Sequence, residues 1–143
     1  MATLKVNVTE SITLNGSNYG ATNTVSISGI NEVDKRVISA VTGTNGTQIY
    51  GGAATAGQGT FIHGNVKYIR ITNTDATNYV TLHIEGNSHY NQYKLEAGKT
   101  YMLGNSKIDN NADIDNFSGE DVTKIEAKAN SAAVKLEVYV ATA

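Results

Sequence analysis

The sequence predicts an all-β protein: an antiparallel β-sandwich, jelly-roll-like or immunoglobulin-like, with about nine to eleven short strands. Three observations lead there. Apolar and polar residues alternate in many short runs, the period of a half-buried strand. Those runs are separated by Gly- and Asn-rich turns, while threonine, a strand former, is abundant inside them. No stretch of ten or more residues has the spacing of an amphipathic helix, and proline is absent.

The 143 residues suit one domain, 1–143. A chain of this length buries roughly 68–70% of its unfolded surface and needs no disulfide or metal to fold. It has no cysteine, which fits a reducing compartment and excludes a zinc–thiolate site or a cysteine nucleophile. Net charge is −2, with 11 basic and 13 acidic residues and no basic patch. Nucleic-acid binding by phosphate neutralisation is therefore not expected. The first residues alternate rather than forming an apolar core, so no signal peptide is expected. No run is long enough for a membrane helix.

Leu4, Val6 and Val8 alternate with Lys5, Asn7 and Thr9; Ile12 and Leu14 follow, and Asn15-Gly16 marks a turn. Val25 and Ile27 predict a strand ending near Gly29. In 33–41, Val33, Lys35, Val37, Ser39 and Val41 share one face, and Arg36, Ile38 and Ala40 the other. Asn45-Gly46 predicts a second turn before a short strand, TQIY. Residues 51–59, GGAATAGQG, read as a flexible surface loop. They lack the Gly-Lys-Ser/Thr ending and following helix of a phosphate loop.

Residues 68–86, YIRITNTDATNYVTLHIEG, predict a hairpin. Ile69, Ile71, Val80, Leu82 and Ile84 face inward; Tyr68, Arg70, Thr72, Thr81, His83 and Glu85 face outward. A second hairpin is predicted from 89–95 and 99–103 around Glu96-Ala97-Gly98. Residues 104–121 form a long acidic connection. Val122, Ile125, Ala127 and Ala129 break a single alternation, predicting a bulge near Thr123. Val134, Leu136, Val138 and Val140 alternate cleanly.

Few residues suggest chemistry. His63, His83 and His89 have spacings of 20 and 6, unlike compact zinc motifs, and no acidic partner is evident beside them. No G-x-S-x-G elbow occurs. In 109–120, Asp109, Asn111, Asp113, Asp115 and Glu120 fall at calcium-loop positions 1, 3, 5, 7 and 12. Ile114 stands where the turn glycine belongs, and the flanks are strand-like, so an EF-hand is not expected. A solvated acidic loop is the plainer reading, with a calcium site of another kind the alternative. Eight of the ten aromatics are tyrosines, and Tyr90, Tyr93 and Tyr101 cluster in sequence. Such tyrosines cover a sheet or line an interface more often than they stack on sugars.

The segments KYIRITNTDATNYVTLHIEG and YKLEAGKTYMLGN resemble a pattern found in small β-sandwich virion structural proteins of tailed phages. The matching residues are Ile69, Ile71, Asn73, Asp75, Val80, Leu82, Ile84, Leu95, Ala97, Gly98, Tyr101 and Leu103. DKRVISAVTGTNGTQIYG upstream is similar to the segment preceding that pattern, so the likeness spans roughly 33–140. The resemblance implies a sandwich that decorates or cements a capsid exterior, with the major capsid protein as partner and a homo-oligomer, trimer or dimer, as its form. It implies a place on the virion surface after synthesis in the host cytoplasm. It carries no catalytic, cofactor or metal residues, so no enzyme activity is expected. The alternative is a tail- or fibre-associated module binding host-surface glycans. Asn73 and Asp75 are expected to shape their turn, Gly98 to take positive φ, and Leu95 and Leu103 to pack in the core.

Overall fold

A computed structural model describes residues 1–105, 107–109, 117 and 119–143. The strands run β1 (Ala2–Glu10), β2 (Thr13–Leu14), β3 (Ser17–Asn18), β4 (Ala21–Ile30), β5 (Glu32–Ala40), β6 (Thr47–Ala53) and β7 (Phe61–Ile62). After a 3-10 turn at His63–Asn65 come β8 (Val66–Asn73), β9 (Val80–Glu85), β10 (Tyr90–Leu95) and β11 (Thr100–Leu103). Then follow β12 (Lys107–Ile108), β13 (Glu120–Asp121), β14 (Lys124–Ala129) and β15 (Val134–Thr142). The fold class is the expected one. Five of these strands are two-residue pieces, and the ten longer ones fall within the expected range.

Two sheets carry the structure, ordered β10-β9-β14-β6-β7 and β11-β8-β15-β5. Among the described strands only β6–β7 is parallel. Ile69, Ile71, Leu136, Val138 and Val140 of the four-stranded sheet and Ile49, Leu82, Ile84 and Ile125 of the five-stranded sheet form one core cluster, each at most 1% exposed. The faces follow the alternation, because burying one side of a strand buries every second residue.

The pairing does not follow the expected hairpins. β8 pairs with β11 and β15, while β9 pairs with β10 and β14 in the other sheet. Residues 68–86 are therefore an arch that crosses the sandwich. The second expected hairpin is also an arch, since β10 pairs with β9 and β11 with β8. Among the longer core strands, β9–β10 is the one pair consecutive in the chain.

Asn73 makes the first arch possible. It is fully buried. Its amide nitrogen donates to the carbonyls of Asn78 (2.9 Å) and Leu95 (3.2 Å), and its side-chain oxygen accepts the Asp75 N–H at 2.9 Å. Its own backbone N–H reaches Lys99 O at 2.9 Å. Asp75 accepts the N–H groups of Thr77 and Asn78. Those bonds hold its carboxyl below the usual carboxylate range, the Asn78 bond most strongly. Gly98 takes φ +70°, as the turn requires. Leu95 is buried, and Leu103 packs against the core from its edge.

Other expectations need correction. Gly51, Gly52 and Ala53 belong to β6 rather than to a surface loop. Gly51 is buried, and Gly52 donates to Thr123 O at 2.7 Å. A Cβ on Gly52 would lie 3.0 Å from Val122 O, so the glycine allows a close strand approach. The irregularity expected near Thr123 is a register shift in the β14–β6 ladder between Ile125 and Glu126. Thr123 itself lies between β13 and β14.

The N-terminal third forms a ribbon. β1 and β4 pair over their length, and β2 and β3 close the tip through Asn15 (φ 51°) and Gly16 (φ 80°). Two successive positive φ values give a tight turn matched to strand twist. Gly29, at φ 78°, sits where the ladder shifts by one residue.

Replacing Asn73 with leucine keeps the branched shape of the side chain but strands the Asn78 and Leu95 carbonyls and the Asp75 N–H. The expected cost is about 2–4 kcal/mol, a fall of roughly 6–12 °C in Tm on thermal denaturation. Unchanged melting would contradict the clamp assigned to this side chain.

Candidate functional site

The outward face of the four-stranded sheet holds Tyr68, Arg70 and Thr72 on β8, and Glu137, Tyr139 and Ala141 on β15. Val33, Lys35, Val37 and Ser39 continue it on β5. Large outward aromatics on central strands need cover, and the ribbon supplies it. Ile30, Tyr68 and Ala141 form a second buried cluster with Leu4, Val6, Ile27 and Tyr139 packed on it. Tyr68, expected to face solvent, is 6% exposed and meets Tyr139 edge-on at 6.0 Å. Beside this contact Glu137 pairs with Arg70 and, at 3.4 Å, with Lys35. Arg70, then Lys35, hold its carboxyl below the ordinary glutamate range.

Only the ribbon's base is covered. Residues 9–19 and 21–26 are exposed, so the distal half stands clear of the sandwich. Ile12, Leu14, Tyr19 and Val25 lie on that half, and Val33, Val37 and Val41 follow on β5. The exposed apolar side chains of the ribbon's free half form the candidate contact surface.

The second cluster lies at the base of the acidic loop. β13 sets two consecutive acids on opposite sides. The Glu120 carboxylate accepts the backbone N–H groups of Ser88 (2.5 Å) and His89 (2.7 Å), pinning the β9–β10 turn. Nδ1 of His89 lies 3.1 Å from the same oxygen, and its Nε2 lies 3.8 Å from Asp109. A Cβ on Gly86 would sit 2.5 Å from the Glu120 carboxylate, so a side chain there would displace it from the turn. On the other side Asp121 meets His63 Nδ1 and Lys107 Nζ, each at 2.9 Å. His83 lies 3.5 Å from Glu85, which also meets Lys124 at 2.9 Å.

All three histidines therefore have the acidic neighbours that the sequence did not reveal. The partners are distant in the chain for His63 and His89, and no local spacing signals them. Of the residues placed on the calcium template, Asp109 and Glu120 are described, and both engage His89. Asn111, Asp113, Ile114 and Asp115 lie outside the described residues. Among the described residues no group of three or more His, Asp or Glu is placed to hold a metal ion.

The tyrosines separate. Tyr93 meets Tyr101 at 4.8 Å across the open side between β10 and β11, while Tyr90 stacks on His83 at 5.5 Å. His83, Thr81, Gln92, Glu126 and Lys128 line a shallow trough of about 200 Å³ on the outer face of the five-stranded sheet.

The carboxylate bonds set an acid limit on stability. Hydrogen bonds from Ser88 N–H and Lys107 hold Glu120 and Asp121, respectively, below their ordinary values of 4.5 and 3.8. Glu85 is lowered likewise by Lys124. A lowered folded-state value stabilises the fold once the unfolded carboxylates are ionised, and the contribution is lost as pH falls through the folded value. Tm is expected to fall as pH drops below about 4.5, and Glu120→Gln to flatten that fall. An identical acid limb in the variant would refute the Glu120 assignment. The chain matches no family model, no curated protein and no solved structure.

Proposed function

We propose that the protein is a structural component of a tailed-phage virion: a decoration or cement protein that binds the capsid exterior and stabilises the shell. The observation that carries this reading is the ribbon, whose free half displays Ile12, Leu14, Tyr19 and Val25 beyond the sandwich. Contiguous exposed apolar side chains mark contact surfaces. A ribbon of nine-residue strands spans roughly 30 Å, long enough to reach a neighbouring subunit. The resemblance of 33–140 to small virion sandwiches points the same way.

The mechanism is passive. The sandwich acts as a rigid body, the ribbon base is clamped on Tyr68 and Tyr139, and the tip docks on the major capsid protein. Many weak contacts repeated over a lattice, and self-association into a dimer or trimer, give avidity. The protein works on the virion surface after synthesis in the host cytoplasm, without catalysis.

A second reading rests on the trough beside the Tyr90–His83 stack. An aromatic platform next to Gln92, Glu126 and Lys128 offers the mixed apolar and polar contacts a glycan uses. That reading makes the protein a tail- or fibre-associated attachment module. A glycan array probed with and without calcium separates the two, since the decoration reading expects no bound glycan in either condition.

Purified native capsids lacking the protein are expected to show added density at lattice sites after incubation with it, imaged by electron cryomicroscopy. Bare capsids would sink the proposal. Ile12→Asp and Leu14→Asp lie on the exposed tip and leave the core untouched. Each is expected to weaken binding at least about tenfold, the loss of one apolar contact worth ~1.5 kcal/mol.

A further inference from the structure

We infer that β5 is a self-pairing edge, through which two copies of this chain join across a two-fold axis into one continuous eight-stranded sheet. Among the described residues β5 ends the four-stranded sheet and pairs on one side only, with β15, through nine residues without a register shift. Long, regular open edges are templates for a further strand, and proteins usually blunt them with charge, bulges or brevity. On the outward face of this edge Val33 is 48% exposed and Val37 63%, with Lys35 between them; Val41, 47% exposed, follows just past the strand's end, where Thr47 and Ala129 take its N–H and C=O. Glu32, Val33, Asp34 and Arg36 line an open cleft of about 300 Å³ whose other wall is Gly57, Gly59 and Thr60.

The residue pattern names the partner. Antiparallel pairing about a two-fold axis puts one residue opposite its own copy. Centring on Asp34, Lys35 or Arg36 opposes two like charges, which destabilises a cross-strand pair. Centring on Val37 puts Val37 opposite Val37, Val33 opposite Val41, and Lys35 opposite Ser39. Val37 is then matched with its own copy inside the ladder, Val33 meets Val41 just beyond the strand's end, and no like charges meet. On the inward face Asp34 falls opposite Ala40 and Arg36 opposite Ile38. Both outer faces lie on the same side of the joined sheet, so the two ribbons project together. This gives the proposed self-association its interface, and it rests on that part of the reading but not on capsid binding.

The chain has no cysteine, so an introduced thiol reports its own neighbour. Opposed residues of an antiparallel pair have Cα atoms about 4.5–5.5 Å apart, inside the disulfide range of roughly 4.4–6.8 Å. In solution without capsids, sedimentation velocity is expected to show a dimer at tens of micromolar, roughly the range of a small interface. Val37→Cys is expected to give a covalent dimer on mild oxidation, whereas Ser39→Cys, whose opposite residue is Lys35, gives none. Val37→Lys sets two ammonium groups against each other at the axis. Because Val37 is exposed, the variant keeps the wild-type circular dichroism, and its dimer is expected to dissociate at least tenfold more readily. A monomer up to about 200 µM, equal cross-linking of both cysteine variants, or a Val37→Lys dimer as tight as wild type would each overturn the inference. Capsid binding by a protein monomeric in solution would remove the pairing and leave the decoration reading in place.

Discussion

One buried amide holds the crossing pattern together. A sandwich in which successive strands alternate between sheets must turn its chain repeatedly through the rim, where backbone groups leave one ladder before joining another. Each unpaired group there costs about 1–3 kcal/mol when buried. Asn73 meets that demand at the most constrained point, where the β8–β9 arch passes the β10–β11 arch. Its two donor bonds go to carbonyls on both arches, and its oxygen holds the N–H of Asp75, the second residue of the first arch. A hydrophobic residue would fill the same volume and satisfy none of these groups. Asp75 two residues on completes the turn, so one arch uses a buried amide and a half-buried carboxylate for related tasks.

The burial of each strand was legible because alternation reports which side of a strand is covered. Ile69, Ile71, Val80, Leu82 and Ile84 are all buried as read. Alternation is silent about which sheet a strand joins, since an inward residue looks the same from either layer. The six residues 74–79 permit either a loose hairpin or a crossing between sheets about 10 Å apart. Asn73 tips the balance, and only its burial shows why. Tyr68 and Tyr139 carried an overlooked signal. Two large aromatics on the outward face of adjacent central strands imply a third layer, and the ribbon is that layer. The histidine–carboxylate contacts gave no such sign, because Asp121 and His63 meet only after the fold brings β13 beside the 3-10 turn.

The two surface systems divide the labour. At the acidic end, charge is spent inwardly: Glu120 fixes the 86–89 turn, and Asp121 ties β12 to the 3-10 turn. These bonds organise the rim and leave little carboxylate capacity for a ligand among the described residues. On the opposite sheet, apolar surface is left unspent. The ribbon base consumes Leu4, Val6, Ile27 and Ile30, but its free half and β5 keep their apolar side chains in water. Stability alone does not account for them, because exposed valine and isoleucine contribute little to a monomer. An association that buries them recovers up to about 1.5–3 kcal/mol for each side chain fully covered.

The open sides of the sandwich show how that surplus is directed. Between β10 and β11 the gap is closed by the Tyr93–Tyr101 contact, and Lys94 lies over Tyr79 at 4.2 Å, adding charge at that edge. On the β5 side the sheets are bridged from within. Arg36 donates to Ile49 O at 3.2 Å while its guanidinium meets Asp34, also at 3.2 Å. Those inward charges bridge the sheets beside the cleft, and Lys35 is the one charge that β5 itself sets on the outer face, so the edge stays open to a strand. Asp34, Lys35 and Arg36 also stand in a row, and each penalises the self-paired register centred on itself. Repulsion thereby excludes three neighbouring alignments, while the valines reward the one centred on Val37. Specificity of this kind comes from what the wrong registers cost as much as from what the right one gains.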